Sequence, residues 1–506
     1  MGDPAFALDS FEKKQPKDSV DLIKSTHTSE IVIALCGQLG TDLKKIENLI
    51  IEELETKYKY EYKVIKLSDF ISQYTKYKLN RYSSEYERIK AGMDGGNELR
   101  ERHGNKILAE LAIREIISDK TQNETEDNLK KEKFSSKRKC YIINSLKHPE
   151  EFQLLSEVYR DIFYVIGIFS PIINRLKFLE RKLGKKSSNI YELIDRDTGE
   201  DKLNGQNVES TFEEADYFMR ISSMEKSKIK PKIERFFHLI FDVGVNTPSI
   251  EETAMYQAAA ASVNSACLSR QVGACITDDK GSILALGWND VPSFGGNLYP
   301  NLELKIDERC FNSGDCDCAN KIRKDQMTKN IINKIKTEKI VENDSFDLRL
   351  LQILENNGIK NLIEFSRSIH AEMHAIIIGS QKTGNKMIGG KLFCTTYPCH
   401  NCARHIIVAG IKEVYYIEPY KKSLSTDLHS DALTDDENEN NKVKILMYEG
   451  VAPKKYMTFY KLNIDNRKEK VKHQDLTNIS PKNTITLRAL HQLEASITEN
   501  LKSRGF

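Results

Sequence analysis

The chain has 506 residues, of which 39% are hydrophobic and 30% carry a charge, and its formal net charge is +2. This length predicts two or more domains with ordinary apolar cores. A net charge near zero argues against a surface that attracts nucleic acid as a whole. The sequence has no apolar run as long as a membrane span, no signal-peptide core at its start, and ten cysteines that lack disulfide spacing. It therefore predicts a cytoplasmic protein with reduced thiols.

Residues 1–28 are polar and predict a flexible arm. Residues 29–245 alternate apolar strands with helical patterns, which predicts a mostly parallel sheet. A Gly-containing turn and a helix follow the first strand, Glu30–Cys36, and this order is the layout of a phosphate-binding loop. The sequence accordingly predicts a P-loop-like domain that binds a nucleotide or another regulatory ligand.

The turn departs from the motif of phosphate-transferring P-loops. Asp42, Leu43 and Lys44 stand where that motif needs Gly, Lys and Ser or Thr. Asn144 stands where an NTPase places a metal-binding Asp. These departures argue against kinase or NTPase activity. Two interpretations stay open for the turn: a helix capped by Asp42 in an α/β domain, or nucleotide binding without phosphoryl transfer.

Farther along this region, the turn residues Met93–Gly96 predict a turn before the next helix. The apolar spacing that follows predicts one long helix over Asn97–Ile117.

A second domain is predicted over residues 246–460, starting with a helix that Ser249 caps. Residues 272–277 and 282–287 predict a β-hairpin. A helix capped by Ser368, a strand over 391–397 and a helix over 399–409 follow, with Pro398 in the first turn of the last helix. Together these elements predict a three-layer α/β/α unit. The remaining residues, 461–506, predict a polar tail that ends in an amphipathic helix near Leu487.

The chemistry-bearing residues of this unit form two short motifs, His370-Ala-Glu372 and Pro398-Cys399-His-Asn-Cys402. His370, Cys399 and Cys402 are ligands that Zn²⁺ prefers, and three protein ligands leave a fourth position for water. Glu372 is expected to carry protons rather than to bind the metal. The pattern H-x-E followed by P-C-x-x-C is that of the zinc-dependent nucleobase deaminases. The alternative is a closed structural zinc knuckle, completed by His374, His400 or His405.

Four other cysteines leave a second question open. Cys310, Cys316 and Cys318, together with Cys267, could hold a structural zinc, or they could be free buried thiols.

Several segments resemble the deoxycytidylate deaminase branch of the cytidine deaminase superfamily: Ser265–Ala274, Gly287–Pro292, and the two motifs with His370 and Cys399. The architecture over residues 29–460 resembles the bacterial anti-phage deoxycytidine nucleotide deaminases, which join a kinase-like N-terminal domain to a deaminase. The segments that carry this second resemblance are Ile142–Pro149, Gly205-Gln206, Ala215–Phe218 and Gly450–Tyr456.

The resemblance implies a cytidine deaminase fold, conversion of dCTP or dCMP to the uracil forms, and depletion of dCTP in defence against phage. It also implies that Asn289 binds the sugar, that Arg270 or Lys421 meets phosphate, and that the chain forms a homo-oligomer. Two other functions stay open. The chain could be a nucleotide- or nucleic-acid-sensing regulatory protein, with a nucleotide or RNA effector at its N-terminal domain. It could also be a polynucleotide cytosine deaminase, which would need a basic groove with stacking aromatic side chains.

Overall fold

The computed structural model describes residues 26–121, 137–184, 188–199, 204–300, 306–312, 317–338, 362–420, 423–462 and 475–506, together with a few isolated positions. The predicted arm over 1–28 lies almost entirely outside these ranges, as do Cys316 and Lys421. The chain divides into two compact units. Unit 1 comprises residues 1–215, 221–246 and 462–506, and unit 2 comprises 216–220 and 247–461.

Unit 1 contains strands and helices that alternate along the chain. The strands are β1 (Ile31–Gly37), β2 (Glu61–Lys66), β3 (Lys139–Asn144) and β4 (Phe163–Phe169). The helices are α1 (Leu43–Glu53), α2 (Leu67–Tyr74), α3 (Glu85–His103), α4 (Ile107–Thr121), α5 (Pro149–Tyr159), α6 (Ile172–Leu183), α7 (Ser188–Thr198), α8 (Val208–Glu213), α9 (Lys226–Ile240) and, near the end of the chain, α16 (Leu487–Ser503).

The strands of unit 1 form the parallel sheet that the alternation predicted. They lie in the order β4-β1-β3-β2, and each neighbouring pair is parallel. All residues of β1 are buried, as expected of a strand covered on both faces. Asp42 caps α1, because its side chain accepts a hydrogen bond from the amide of Lys45 at 3.2 Å.

The prediction for residues 93–117 was wrong in its boundaries. Met93–Gly96 lies inside α3, and the break comes later, at Gly104, whose φ of +91° is outside the helical region. Gly95 and Gly96 are buried in α3. A Cβ on Gly95 would lie 2.4 Å from Ile71, so close packing against α2 explains a glycine that the sequence suggested was a turn.

The C-terminal helix α16 packs against α4 within unit 1. Lys120 of α4 is buried and lies 2.7 Å from Glu494 of α16 and 2.7 Å from Glu30. A buried lysine between two carboxylates is compensated, since an isolated buried charge would be costly. These ion pairs connect α16 and α4 to Glu30, the residue that immediately precedes β1.

Unit 2 has its own sheet. Its strands are β5 (Tyr217–Arg220), β6 (Gly273–Thr277), β7 (Ile283–Trp288), β8 (Lys391–Thr396), β9 (Glu413–Glu418), β10 (Leu433–Thr434), β11 (Val443–Met447) and β12 (Gly450–Val451). Its helices are α10 (Ile250–Ser262), α11 (Ala319–Thr337), α12 (Ala371–Thr383), α13 (His400–Val408), α14 (Ser425–Leu428) and α15 (Tyr456–Tyr460).

The main sheet of unit 2 has six strands in the order β10-β11-β9-β8-β6-β7. The predicted hairpin β6–β7 is confirmed and pairs antiparallel with β8, while β8, β9, β11 and β10 run parallel. Strands β5 and β12 pair with each other in antiparallel orientation.

Helices cover both faces of the hairpin. A Cβ on Gly273 would meet α10 at the carbonyl of Ala258, and a Cβ on Gly287 would meet α12 at the carbonyl of Ala371. Gly287 lies opposite Ala274, so Gly273, one residue away, faces the other side of the sheet. Within unit 2 this arrangement gives a helix, sheet and helix in successive layers. None of the helices in the described ranges has the length and apolar character that a membrane crossing requires.

Candidate metal centre and active site

Two helix N-termini bring the predicted ligands together. His370 is the N-cap of α12 and Cys399 is the N-cap of α13, while Cys402 lies in the first turn of α13. The prediction that Ser368 caps α12 was wrong by two residues. Pro398, predicted to lie in the first turn of α13, instead precedes its N-cap. The positive ends of two helix dipoles therefore face the ligand atoms and favour bound thiolate.

The three ligand side chains converge on one point. The Nδ1 atom of His370 lies 3.2 Å from Sγ of Cys399 and 3.3 Å from Sγ of Cys402. Within the described ranges, this is the single group of three or more His, Cys, Asp or Glu side chains close enough to share a metal ion. One imidazole nitrogen and two sulfurs are a donor set suited to Zn²⁺.

The histidines that could have completed a closed knuckle are held elsewhere. His374 accepts a hydrogen bond at Nδ1 from the amide of Trp288 (3.2 Å), and its Nε2 lies 2.9 Å from Asn297. His405 is hydrogen-bonded to the carbonyl of Asn401, and Nε2 of His400 lies 3.7 Å from Glu364. Among the residues that the structure describes, the group keeps three protein ligands, which is the arrangement of a catalytic zinc site.

The protonation of the ligands follows from their mutual contacts. Hydrogen bonds from Cys402 and His370 lower the pKa of the Cys399 thiol to about 4, against the effect of burial. A hydrogen bond with Cys399 raises the pKa of His370 to about 9. Burial raises the pKa of Cys402 well above its usual range. These contacts favour the thiolate form of Cys399.

Glu372 occupies the wall of a cavity beside these ligands. The cavity has a volume of about 320 Å³, and both His370 and Cys399 line it. Glu372 is 4% exposed, and burial raises the pKa of its carboxyl group above the usual range. Because Glu372 is not one of the converging ligand residues, its carboxyl group remains available to a molecule in the cavity.

The two predicted substrate-binding residues also line this cavity. The side-chain oxygen of Asn289 accepts a hydrogen bond from the amide of Val272 at 2.7 Å, and its Nδ2 donates to the carbonyl of Arg270 at 2.8 Å. These two bonds fix the carboxamide and leave one Nδ2 hydrogen for a ligand. The guanidinium of Arg270 is half exposed and lies 3.5 Å from Glu418.

The sequence did not predict several residues that shape the cavity. Asn320 and Lys324 come from α11, and Tyr397 and Tyr420 come from the ends of the central strands. The sequence of α11 carries no motif, so it did not predict that the first turns of this helix line the cavity.

Asp290 anchors the segment before His370, and the sequence did not reveal this role either. Its carbonyl accepts a hydrogen bond from the amide of Ile369 at 2.9 Å. Its carboxylate accepts from Ala266 at 3.1 Å and from the buried guanidinium of Arg309 at 3.2 Å. Ile369, Ala266 and Arg309 belong to segments that are separate from Asp290 in the sequence, so only the tertiary structure could identify these contacts.

The second zinc site does not form among the residues that can be described. Cys267, Cys310 and Cys318 form no disulfide, and within the described ranges they do not converge into a metal-binding group. Cys316 lies outside the described ranges. Cys318 instead accepts a hydrogen bond from Ser269 at 3.3 Å.

The comparison with known proteins agrees with this site. Residues 248–418 match the family model described as the cytidine and deoxycytidylate deaminase zinc-binding region. The deoxycytidylate deaminase of Enterobacteria phage T4 is 30% identical over 166 residues, which cover 32% of this chain and 74% of the phage enzyme. The chain belongs to the cytidine and deoxycytidylate deaminase family.

Zinc is the cofactor of this family's binding region, and the His370 group is able to hold it. The chain is also 52% identical to ComE operon protein 2 of Bacillus subtilis (strain 168), over 56 residues that cover 11% of this chain and 29% of that protein. A crystal structure of the dCMP deaminase from cyanophage S-TIM5 in complex with dCMP and dUMP aligns with 40% of this chain and 99% of that one, with 23% identity and a TM-score of 0.24.

Close packing of the hairpin against α12 gives a first testable prediction. A Cβ on Gly287 would lie 2.4 Å from the carbonyl oxygen of Ala371 and 2.5 Å from the amide nitrogen of Ala375. Gly287→Ala must therefore displace α12, and we expect it to lower the free energy of unfolding by about 1–3 kcal/mol and to weaken zinc binding. Urea unfolding and zinc content after dialysis measure both effects.

Gly379→Ala, a substitution within α12 itself, is the matched control. Its Cβ would lie 2.9 Å from the flexible end of Met387, so the side chain can move aside. We expect its zinc content to match that of the wild type. Equal stability and zinc binding in both variants would contradict the packing argument.

Proposed function

We propose that unit 2 catalyses the zinc-dependent hydrolytic deamination of a deoxycytidine nucleotide, dCMP or dCTP, to the corresponding deoxyuridine nucleotide and ammonia. The observation that carries the proposal is the placement of Glu372 in a cavity wall beside a three-ligand zinc group. Family membership and the similarity to the deoxycytidylate deaminase of phage T4 support the choice of deoxycytidylate.

Glu372 is proposed to carry the protons of the reaction. His370, Cys399 and Cys402 would hold zinc, which would supply a bound water acidic enough to act as the nucleophile at C4 of the cytosine ring. The Glu372 carboxylate would take one proton from this water and deliver it to ring N3. It would then take the proton of the hydroxyl group now on C4 and give it to the amino group, which leaves as ammonia while the C4 carbonyl forms. One water is consumed and one ammonia is released.

Asn289 and Arg270 are proposed to position the nucleotide. The remaining Nδ2 hydrogen of Asn289 suits a sugar oxygen, and the carboxamide cannot rotate because two backbone groups hold it. Arg270 at the cavity wall offers a charge for phosphate, with Lys324 of α11 as a second cation. The cavity volume is within the range for single small-molecule ligands, which favours a free nucleotide over a polynucleotide.

Removal of the Arg270 charge gives a second prediction. Arg270→Ala is expected to raise KM for dCMP about tenfold, because a charge-assisted hydrogen bond contributes roughly 1.5–3 kcal/mol when it is formed and solvent weakens it at this half-exposed site. We expect little change in kcat or in the slow turnover of deoxycytidine, which lacks the phosphate. Steady-state kinetics with both substrates test this.

The matched control is Arg323→Ala, an exposed arginine of α11 that does not line the cavity. We expect it to behave as the wild type. An equal loss with dCMP and deoxycytidine in Arg270→Ala would mean that Arg270 supports the structure and does not contact phosphate.

The direct test of the function is chromatography of a mixture of dCMP, dCTP, CTP and dATP after incubation with the zinc-loaded protein. Conversion of dCMP or dCTP to dUMP or dUTP, absent with Glu372→Ala, is the expected result. Deamination of cytosines in a single-stranded oligonucleotide, with the free nucleotides untouched, would refute the proposal and favour a polynucleotide deaminase.

A wider role is proposed on the same basis. Conversion of the deoxycytidine nucleotides to uracil forms would deplete dCTP, and this depletion would limit DNA synthesis by an infecting phage. Unit 1 would then supply regulation by a bound nucleotide or RNA effector, and subunits would assemble into a homo-oligomer. Measuring dCTP in infected cells that carry the wild type or Glu372→Ala tests the defence role.

A further inference from the structure

Unit 1 contains a cavity of about 440 Å³ at one edge of its parallel sheet. The final residues of β1, β2 and β3, which are Gly37, Lys66 and Asn144, all line it. Ligands of open α/β sheets bind beyond the carboxyl ends of the strands, where this cavity lies. The location alone does not identify a ligand, whereas the chemistry of the groups that line the cavity indicates its class.

Carboxylates already accept hydrogen bonds from two backbone amides at the turn between β1 and α1. The amide of Leu39 donates to the carboxylate of Asp197 at 2.6 Å, and the amide of Lys45 donates to Asp42. Gly40 is backed by Arg175, since an added Cβ would lie 2.8 Å from that side chain. Carboxylates of the protein thus accept hydrogen bonds from backbone amides of the kind that a phosphate-binding loop directs at its ligand.

An unpartnered arginine nitrogen lies at another wall of the cavity. Arg100 of α3 is 3% exposed, and its Nε and Nη2 donate to Oε1 of Glu151 at 3.0 and 2.8 Å. Its Nη1 is buried and has no hydrogen-bond partner among the described residues. A buried guanidinium nitrogen without an acceptor is costly, so this one calls for an acceptor on a ligand.

Two hydroxyl groups lie unpartnered at the same cavity. The Oγ1 atom of Thr41 and the Oγ atom of Ser145 are buried and form no hydrogen bond within the described part of the chain. Both residues line the cavity together with Arg100. Arginine and two hydroxyls are donors that suit the oxygen atoms of a phosphate.

The lining is rich in cations, and the remaining wall is apolar. Five of its six cationic side chains form ion pairs with Glu47, Glu85, Glu151 or Asp197, so the unpartnered donors rather than the net charge favour an anion. Asp42 is the acidic residue among the lining residues, whereas the cationic ones are Lys44, Lys66, Arg88, Arg100, Lys147 and Lys182. Ile89, Met93 and Phe178 contribute apolar surface. The ligand should therefore have an anionic end and a less polar body, and the cavity volume suits a molecule the size of a nucleotide.

We propose that unit 1 binds a nucleoside phosphate whose phosphate oxygens accept hydrogen bonds from Arg100, Ser145 and Thr41. The turn after β1 would contribute only the hydroxyl group of Thr41 and no cradle of backbone amides, which distinguishes this site from a P-loop. The inference deepens the effector role proposed above for unit 1 and does not depend on the deaminase chemistry of unit 2.

Calorimetric titration of the full-length, zinc-loaded protein with ATP, GTP, dTTP or inorganic triphosphate tests the proposal. These nucleotides carry no cytosine. We expect at least one of them to bind once per chain, and more tightly than inorganic triphosphate. Arg100→Lys should weaken that binding at least tenfold, because lysine keeps a charge beside Glu151 but cannot supply the Nη1 donor. Ser145→Ala should weaken it several-fold.

Lys177→Ser is the matched control, because Lys177 lies on α6 with Lys182 but is exposed and outside the cavity lining. It should bind as the wild type does. If Arg100→Lys fails to fold, as judged by circular dichroism, Ser145→Ala carries the test. Deamination of dCMP by Ser145→Ala without added nucleotide should equal that of the wild type.

Three results would refute the proposed site. In the first, no probe binds at millimolar concentration. In the second, a nucleotide binds but neither variant weakens its binding, and in the third, inorganic triphosphate binds as tightly as the nucleotides. Binding of a single-stranded RNA but of none of the nucleotides would overturn it as well. A protein that binds a nucleotide through Arg100 yet deaminates nothing would leave the site standing and refute only the function proposed for unit 2.

Discussion

Replacing Glu372 with alanine is expected to lower kcat for dCMP by about 10²- to 10⁴-fold, the range for loss of a general acid–base, while one zinc ion per chain remains. Glu372 lies in the cavity wall and is not among the converging ligand residues, so its removal should leave the metal group intact. Single-turnover kinetics and zinc analysis of the same preparation measure the two quantities.

Two comparisons make this result specific. Glu372→Gln keeps the shape of the side chain but cannot accept a proton, so its rate should fall as far as that of the alanine variant. Glu308→Ala removes an exposed carboxylate outside the cavity and should change neither rate nor zinc. Near wild-type turnover in either Glu372 variant would refute the proposed proton carrier.

Replacing Cys399 with alanine is expected to abolish both zinc binding and deamination. The described group has three protein ligands, and Cys399 supplies the thiolate that its contacts with Cys402 and His370 favour. Two remaining ligands would hold zinc far more weakly, because structural and catalytic sites use at least three. Zinc content after dialysis should fall from about one ion per chain to nearly none.

Cys275→Ala is the control for loss of a thiol. Cys275 is a buried free cysteine of β6 that does not belong to the metal group. It should keep one zinc ion and most of the activity. Wild-type zinc content in Cys399→Ala would mean that other residues hold the metal. Two zinc ions per wild-type chain would indicate a second site that includes residues outside the described ranges.

The zinc group could be predicted from the sequence because its chemistry depends on short spacing. Cys399 and Cys402 lie three positions apart at the start of one helix, so local geometry alone places both sulfurs on the same side. His370 also begins a helix, and Glu372 follows two residues later. Local patterns likewise predicted β1, the hairpin β6–β7 and the cap at Asp42.

Sequence spacing could not place residues that meet across long distances. Arg309 joins Asp290, Lys120 joins Glu494, and Lys324 reaches the cavity from an insertion. Each pairing depends on how separate elements pack, and no local pattern encodes that. Gly95 illustrates the same limit, since the sequence suggested a turn where close helix packing requires a glycine.

The sequence by itself therefore indicated the three side chains able to hold a metal, the carboxylate two residues after His370 and the alternation that gives a parallel sheet, because these depend on neighbouring residues and regular periods. Only the tertiary structure decided that Arg100, Thr41 and Ser145 share one cavity. It also decided that no further histidine joins the zinc group among the described residues. Both outcomes depend on which buried polar groups find partners after folding, and that is settled by packing in three dimensions.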